Sequence, residues 1–215
     1  MTALDQGGTT GGAGGAVVAA TMTAQFLHHI ALLEPLVVQV RGTIALSTGT
    51  SDGMHDVASD KTIAGLGGDT RLVGGGLNIG LPADDDVTSP PANAVHNVII
   101  RNLPITGATD DLINVQMVSH HSWIDHNDFS DGDDGAVDVK RGSDFLTVPR
   151  NRFHDHDKTL LLGHDDDNSA QDVECNHEIE VRGSVVEPRT YYACTPHRAV
   201  EVPTTVPAGA GVGRV

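Results

Sequence analysis

A chain of 215 residues is long enough for one domain with its own hydrophobic core. Only 3% of the residues are aromatic and 25 are glycine, so this core has to be built from small aliphatic side chains in thin, repeated layers. A net charge of −16 argues against nucleic acid and anionic membranes as partners, although divalent cations can bridge an acidic protein to an acidic ligand. The alternative is that the negative charge serves solubility alone.

The Gly/Thr-rich beginning of the chain, residues 1–16, is expected to be loosely ordered. It lacks the basic and apolar regions of a signal peptide, which indicates either a cytoplasmic protein or a mature form with an added Met1. No apolar run in the sequence reaches membrane-spanning length. We treat residues 1–215 as a single domain.

One amphipathic helix is predicted, over Thr23–Leu33. Phe26, Ile30 and Leu33 share one face of it, and Glu34–Pro35 ends it. Beyond this helix the sequence favours short strands. The predicted strands are Leu36–Val40, Thr43–Leu46, Lys61–Ala64, Val98–Ile100, Trp123–Asp125, Phe145–Val148 and Glu178–Val181.

Three strand-like segments each end in asparagine, at Asn102, Asn127 and Asn151. The nearly equal intervals between these asparagines predict stacked coils that form parallel sheets. In such a stack the asparagine side chains would hydrogen-bond from coil to coil, and the N-terminal helix would cap the open end. Chance is the alternative, since Asn often follows strands. Pro149 conflicts with a central strand and indicates a bend at its edge.

Several motifs appear in a consistent order between about residues 8 and 172. They are SDKTIAGLG (59–67), HNVIIRNL (96–103), WIDH (123–126), DGAVDVK (134–140) and HDKTLLLG (156–163). Together they resemble polysaccharide lyase family 1, the pectate lyases. The resemblance implies an all-β fold, a right-handed parallel β-helix, and it also implies secretion. From Val173 onward the sequence diverges from the family pattern.

The carboxylates are the strongest candidates for a site. Asp134 and Asp138 are four apart, so in an extended strand they would share a face, and Asp111 would stack on them from the coil before. Oxygen ligands without cysteine favour Ca²⁺ or Mg²⁺, and the resemblance implies that these three aspartates bind Ca²⁺. The alternative is that they cap turns, which we favour for Asp110, Asp131 and Asp133.

The resemblance makes Lys158 a contact for the substrate carboxylate, and Lys140 is a weaker candidate for the same groove. The alternative for Lys158 is a surface ion pair with Asp155 or Asp157. The 12 histidines lack the HExxH spacing of a metal site, so we expect packing and hydrogen-bonding roles for them.

Pectate lyases cleave polygalacturonate by β-elimination, with an arginine as the base. This chain lacks the family's R-x-P-x-x-R motif after the HDKTLLLG turn, and Arg182, Arg189 and Arg198 are the nearby alternatives. We assign the base to Arg189. A guanidine base implies an alkaline optimum. The two cysteines, Cys175 and Cys194, permit a disulfide without deciding the compartment.

Three functions follow. The first is a secreted Ca²⁺-dependent pectate lyase. The second is a non-catalytic β-helix that binds acidic polysaccharide through Ca²⁺, which the missing arginine motif motivates. The third is a structural β-helix whose aspartates bind nothing. An open edge at the end of a short solenoid would also allow pairing with another chain.

Overall fold

The computed structural model of this protein describes residues 7–46, 52–163, 171 and 179–181. Its elements in chain order are β1 (Ala16–Ala20), α1 (Thr23–Ala31), β2 (Leu36–Val40), β3 (Thr43–Ala45), β4 (Met54–Asp56), β5 (Lys61–Gly65), β6 (Arg71–Val73), β7 (Gly76–Ile79), β8 (His96–Arg101), β9 (Pro104–Thr106), β10 (Ile113–Val115), β11 (His120–Asp125), β12 (Asp128–Ser130), β13 (Val137–Val139), β14 (Asp144–Thr147), β15 (Arg152–Phe153), β16 (Leu160–Leu162) and β17 (Ile179–Val181).

These strands form three parallel sheets around about six turns of a solenoid. The first sheet has the order β1-β2-β5-β8-β11-β14, the second β4-β7-β10-β13-β16-β17, and the third β3-β6-β9-β12-β15. The pair β16–β17 is the exception, because these two strands are antiparallel. The right-handed parallel β-helix predicted from the sequence is confirmed.

The core consists of aliphatic columns, since strands in register place side chains of the same position above one another. In the first sheet Val38, Ile63, Ile100 and Ile124 are aligned and fully buried. In the third sheet the column changes to aromatic rings, and Phe129 stacks on Phe153 at 5.2 Å. The layered aliphatic core expected from composition is therefore present.

Helix α1 packs against β1 and β2 and buries Phe26 and Ile30 at the first end of the solenoid. The predicted place of Leu33 in the helix is wrong. The helix ends at Ala31, and Leu33 is 86% exposed, because the chain turns extended before Pro35. Within the described residues, no helix has the length and apolarity to cross a membrane.

The loose order expected for residues 1–16 does not extend over residues 10–16. Asn97 Oδ1 accepts the backbone N–H groups of Thr10 and Gly11, at 2.7 and 2.8 Å. Gly12 donates to Thr62 Oγ1, and Ala16 begins β1. This segment lies so close to Leu36 that a side chain at Gly12 would meet its carbonyl at 1.9 Å.

The predicted asparagine ladder is correct for two of its three members. Asn151 Oδ1 accepts from the backbone N–H and the side chain of Asn127, at 2.8 and 3.1 Å. Asn102 is displaced by one position, because Arg101 pairs with Asp125 and Asn102 is therefore level with His126. Its side chain donates to the Gly65 carbonyl at 2.7 Å instead.

The predicted strands are all present; Leu36–Val40 has the predicted bounds, and the bounds of the others differ by one to three residues. Short strands such as β6, β9 and β13 were missed because three residues carry too little alternation to be recognised. Pro149 does not interrupt a strand, since β14 ends at Thr147 and the Pro149 carbonyl accepts the His126 N–H.

Candidate functional site

The candidate site lies where three turns precede strands of the second sheet. Asp110 and Asp111 precede β10, Asp134 precedes β13, and Lys158 precedes β16. The parallel register sets these turns side by side, since Ile113 pairs with Val137, which in turn pairs with Leu160. Asp110 is therefore level with Asp134 in the next coil.

Three aspartates converge in these turns. Asp110, Asp111 and Asp134 each offer one carboxylate oxygen, and the three oxygens lie within 4.8 Å of one another. The sequence favours a turn-capping role for Asp110, because its alignment with Asp134 depends on the register between coils, which the sequence does not show. Burial and the charge of Asp111 raise the pKa of Asp110.

Asp138 lies near these three aspartates, but its position relative to Asp134 differs from the one expected. The premise that Asp134 and Asp138 share one extended strand is wrong, because β13 begins at Val137 and Asp134 lies in the preceding turn. Asp138 is only 3% exposed, and its Oδ1 atom is buried without a hydrogen-bond partner. Burial, followed by the charge of Asp111, raises its pKa to about 7. We call Asp110, Asp111, Asp134 and Asp138 the carboxylate cluster.

Lys140 joins the two buried members of the carboxylate cluster. Its ammonium donates to Asp111 Oδ2 at 2.7 Å and lies 3.2 Å from Asp138 Oδ2. The other oxygen of Asp111 accepts the backbone N–H of Gly135 at 2.8 Å. Burial opposes the charge of Lys140, but the two carboxylates outweigh it and raise its pKa.

Gly135 is required where it stands. A Cβ atom there would lie 1.9 Å from Asp138 Oδ1 and 2.8 Å from Asp111 Oδ1. Because those oxygens belong to buried side chains, neither can move aside easily. The glycine therefore lets the turn approach both carboxylates at once.

Lys158 forms the outer part of the site. Its ammonium donates to Asp134 Oδ1 at 2.6 Å, rather than to Asp155 or Asp157 as one reading of the sequence suggested. Both side chains are well exposed, 41% for Lys158 and 49% for Asp134. An ion pair this exposed is weak and can exchange partners.

The net charge of the site can be balanced by one divalent cation. The four carboxylates of the cluster and the ammonium groups of Lys140 and Lys158 sum to −2 when all are ionised. The donors are all oxygens, and Asp138 Oδ1 is buried without a hydrogen-bond partner. This donor set fits Ca²⁺ better than Zn²⁺.

Several of the described histidines make packing and hydrogen-bonding contacts. His120 stacks on His96 at 5.2 Å and shares a 2.7 Å hydrogen bond with His121. Burial, followed by His121 and His96, lowers the pKa of His120 to about 4. His154 lies between two carboxylates on the third sheet, with Nε2 2.7 Å from Asp128 and Nδ1 2.8 Å from Asp155.

The assigned base, Arg189, lies outside the described residues, as do Arg182, Arg198 and both cysteines. Of the assigned site residues, the structure therefore places Asp111, Asp134, Asp138, Lys140 and Lys158 in one region.

A family model described as pectate lyase matches residues 2–178. This chain belongs to the pectate lyase family. It is 32% identical over 215 residues to pectate lyase A of Dickeya chrysanthemi, an alignment that covers 79% of this chain and 52% of that protein. It is 37% identical over 170 residues to the pectate trisaccharide-lyase of Thermotoga maritima, with 74% and 41% covered. The chain thus spans about half the length of these curated relatives or less.

Two solved structures share the fold. A pectate lyase from Bacillus sp. N165, crystallised in complex with trigalacturonate, superposes with a TM-score of 0.62 at 31% identity, covering 77% of this chain and 55% of that one. The cedar pollen allergen jun a 1 superposes with a TM-score of 0.61 at 26% identity, covering 75% and 51%.

Proposed function

We propose that this protein is a Ca²⁺-dependent pectate lyase that cleaves polygalacturonate by β-elimination. The observation that carries the proposal is the carboxylate cluster with Lys158 at its outer edge, in a member of the pectate lyase family. Pectate lyase A of Dickeya chrysanthemi and the trigalacturonate complex from Bacillus sp. N165 support polygalacturonate as the substrate.

The calcium ligands in this proposal come from the carboxylate cluster. Asp111 and Asp134 offer oxygens within reach of one another, Asp110 adds a third, and Asp138 contributes its unpartnered Oδ1. When bound, Ca²⁺ supplies the positive charge that lets an acidic protein hold an acidic polymer and that stabilises negative charge on the uronate carboxylate.

Lys158 is assigned to binding a substrate carboxylate. Its exposed ion pair with Asp134 costs little to break, so a uronate group can replace Asp134 as its partner, particularly once Asp134 is engaged by a cation. Lys140 is less suited to this role, because its ammonium is already held by two buried carboxylates.

The elimination step needs a base, which we assign to Arg189. The base takes the proton from C5, next to the uronate carboxylate. The electron pair of that C–H bond forms the C4=C5 double bond, and the C4–O bond breaks as the leaving oxygen gains a proton. Because a guanidine loses its proton only at high pH, the rate should rise toward alkaline pH.

The test is the ultraviolet absorbance of the unsaturated product during incubation with polygalacturonate and Ca²⁺ at alkaline pH. Product should form, and a chelator should abolish it. Arg189→Lys should lose activity while Arg198→Lys and Asp133→Asn keep it. Absence of product, or a rate indifferent to chelator, would contradict the proposal. Calcium-dependent binding of oligogalacturonate without turnover would instead identify a non-catalytic polysaccharide-binding protein.

The extracellular location of the protein is also a proposal. We infer from the family membership that the protein is secreted, which fractionation of the producing cells would test. Association through the last coil of the solenoid remains a prediction, and sedimentation of the purified protein would reveal it.

A further inference from the structure

The inner part of the carboxylate cluster contains a cation that belongs to the protein itself. Lys140 holds one oxygen of Asp111 and one of Asp138, at 2.7 and 3.2 Å. The lysine side chain is 15% exposed, and those of the two aspartates 1% and 4%. The ammonium is therefore a nearly buried charge in a region where solvent screens weakly.

The position of this ammonium is fixed by the backbone. Lys140 directly follows β13, and its N–H donates to the Val115 carbonyl of the preceding coil at 2.8 Å. The stem of the side chain thus starts from a rigid strand end, and its charge stays beside Asp111 and Asp138.

Asp111 belongs to two groups at once. Its carboxylate contributes an oxygen to the group formed with Asp110 and Asp134, and it also accepts the Lys140 ammonium. A divalent ion held by that group would share the Asp111 carboxylate with Lys140. The two positive charges would then repel each other. Lys140 leaves one buried oxygen of the carboxylate cluster, Asp138 Oδ1, without a hydrogen-bond partner.

We propose that Lys140 is a tethered counter-cation of the carboxylate cluster, one that stabilises the cluster without Ca²⁺ and lowers its affinity for Ca²⁺. This inference rests on the proposed calcium site. It assigns Lys140 to tuning the cation site instead of contacting the substrate. Lys140 thus acts through Asp111 and Asp138 and is a positioning residue.

The experiment is a calorimetric titration of the metal-free protein with CaCl₂, in the absence of substrate. Lys140→Met keeps the length of the side chain and removes its charge. Loss of a nearby positive charge should tighten Ca²⁺ binding roughly tenfold or more. The same variant in EDTA should melt at a lower temperature than the wild-type protein, and saturating Ca²⁺ should recover most of that loss.

Two variants serve as controls. Lys140→Arg keeps the charge and should leave the affinity within about threefold of the wild-type value. Arg71→Gln removes the same formal charge from an exposed position on the third sheet and should not tighten binding. If Lys140→Met does not fold, Lys140→Gln makes the same test with a polar side chain.

An unchanged or weaker Ca²⁺ affinity of the uncharged variant would overturn the inference, as would equal tightening by Arg71→Gln. If the wild-type protein binds no Ca²⁺ but Lys140→Met does, the inference holds in its strongest form. If neither binds, it fails. The titration contains no substrate, so its result is independent of whether polygalacturonate is cleaved.

Discussion

The two lysine–aspartate pairs of the site use the same residue types in different surroundings. Lys140 and Asp111 lie inside the cluster, nearly out of contact with water, whereas Lys158 and Asp134 are 41% and 49% exposed at its edge. An interior ion pair is costly to break, because one partner is left charged and buried, while an exposed pair exchanges freely. The inner pair thus suits a fixed role and the outer pair suits ligand exchange.

Loss of Asp111 should have the largest effect. Asp111→Asn leaves Lys140 with Asp138 alone and weakens the acceptor for the Gly135 N–H. We expect unfolding to require roughly 3 kcal/mol less free energy, and Ca²⁺ binding to be lost. Urea denaturation measures the first and calorimetry the second. Asp133→Asn, at an exposed neighbouring position, is the control. Equal stability of the two variants would show that the Lys140–Asp111 pair contributes no more to stability than an exposed carboxylate.

The pH dependence of stability provides the next test, through Asp138. Its pKa is raised to about 7, so the folded protein keeps a proton that the unfolded chain has already released near pH 4. Stability of the metal-free protein should therefore fall as the pH rises from about 4 to 7. Asp138→Asn should flatten this part of the curve. A wild-type curve that rises over this range, or one that the substitution leaves unchanged, would contradict the assignment.

A smaller loss is expected from Gly135→Ala. The added methyl group would overlap Asp138 Oδ1, so the turn or the carboxylate must shift. Overpacking of this kind costs about 1–3 kcal/mol. Gly68→Ala is the matched control, since nothing lies within 4 Å of a Cβ there. Denaturation of both variants measures the difference in stability. Similar stabilities would mean that the Asp111 and Asp138 side chains can shift at little cost in free energy.

The smallest effect on stability should come from Lys158→Met. Breaking an exposed pair changes the free energy of unfolding by less than about 1 kcal/mol. Binding of oligogalacturonate, measured by calorimetry in the presence of Ca²⁺, should nevertheless weaken markedly. A destabilisation as large as that of Asp111→Asn would erase the distinction between the inner and outer pairs.

Much of this fold and site follows from local sequence patterns. Leu36–Val40 and Lys61–Gly65 are rich in β-branched residues, which is enough to identify strands. The three-residue strands β10 and β13 lack that signal. Their place is fixed only by pairing with neighbouring coils. The same limit explains why Asp110 was not recognised, since its place in the carboxylate cluster depends on lying level with Asp134.

The sequence by itself determined the β-helix, the acidic character of the site and the presence of Asp111, Asp134, Asp138 and Lys158 in it, because short motifs and composition are local properties. The tertiary structure alone determined which carboxylate oxygens lie close together. It brought Asp110 into the cluster, moved Asp134 into a turn and placed the Lys140 ammonium between Asp111 and Asp138. These contacts depend on the register between coils, in which residues about 24 positions apart become neighbours.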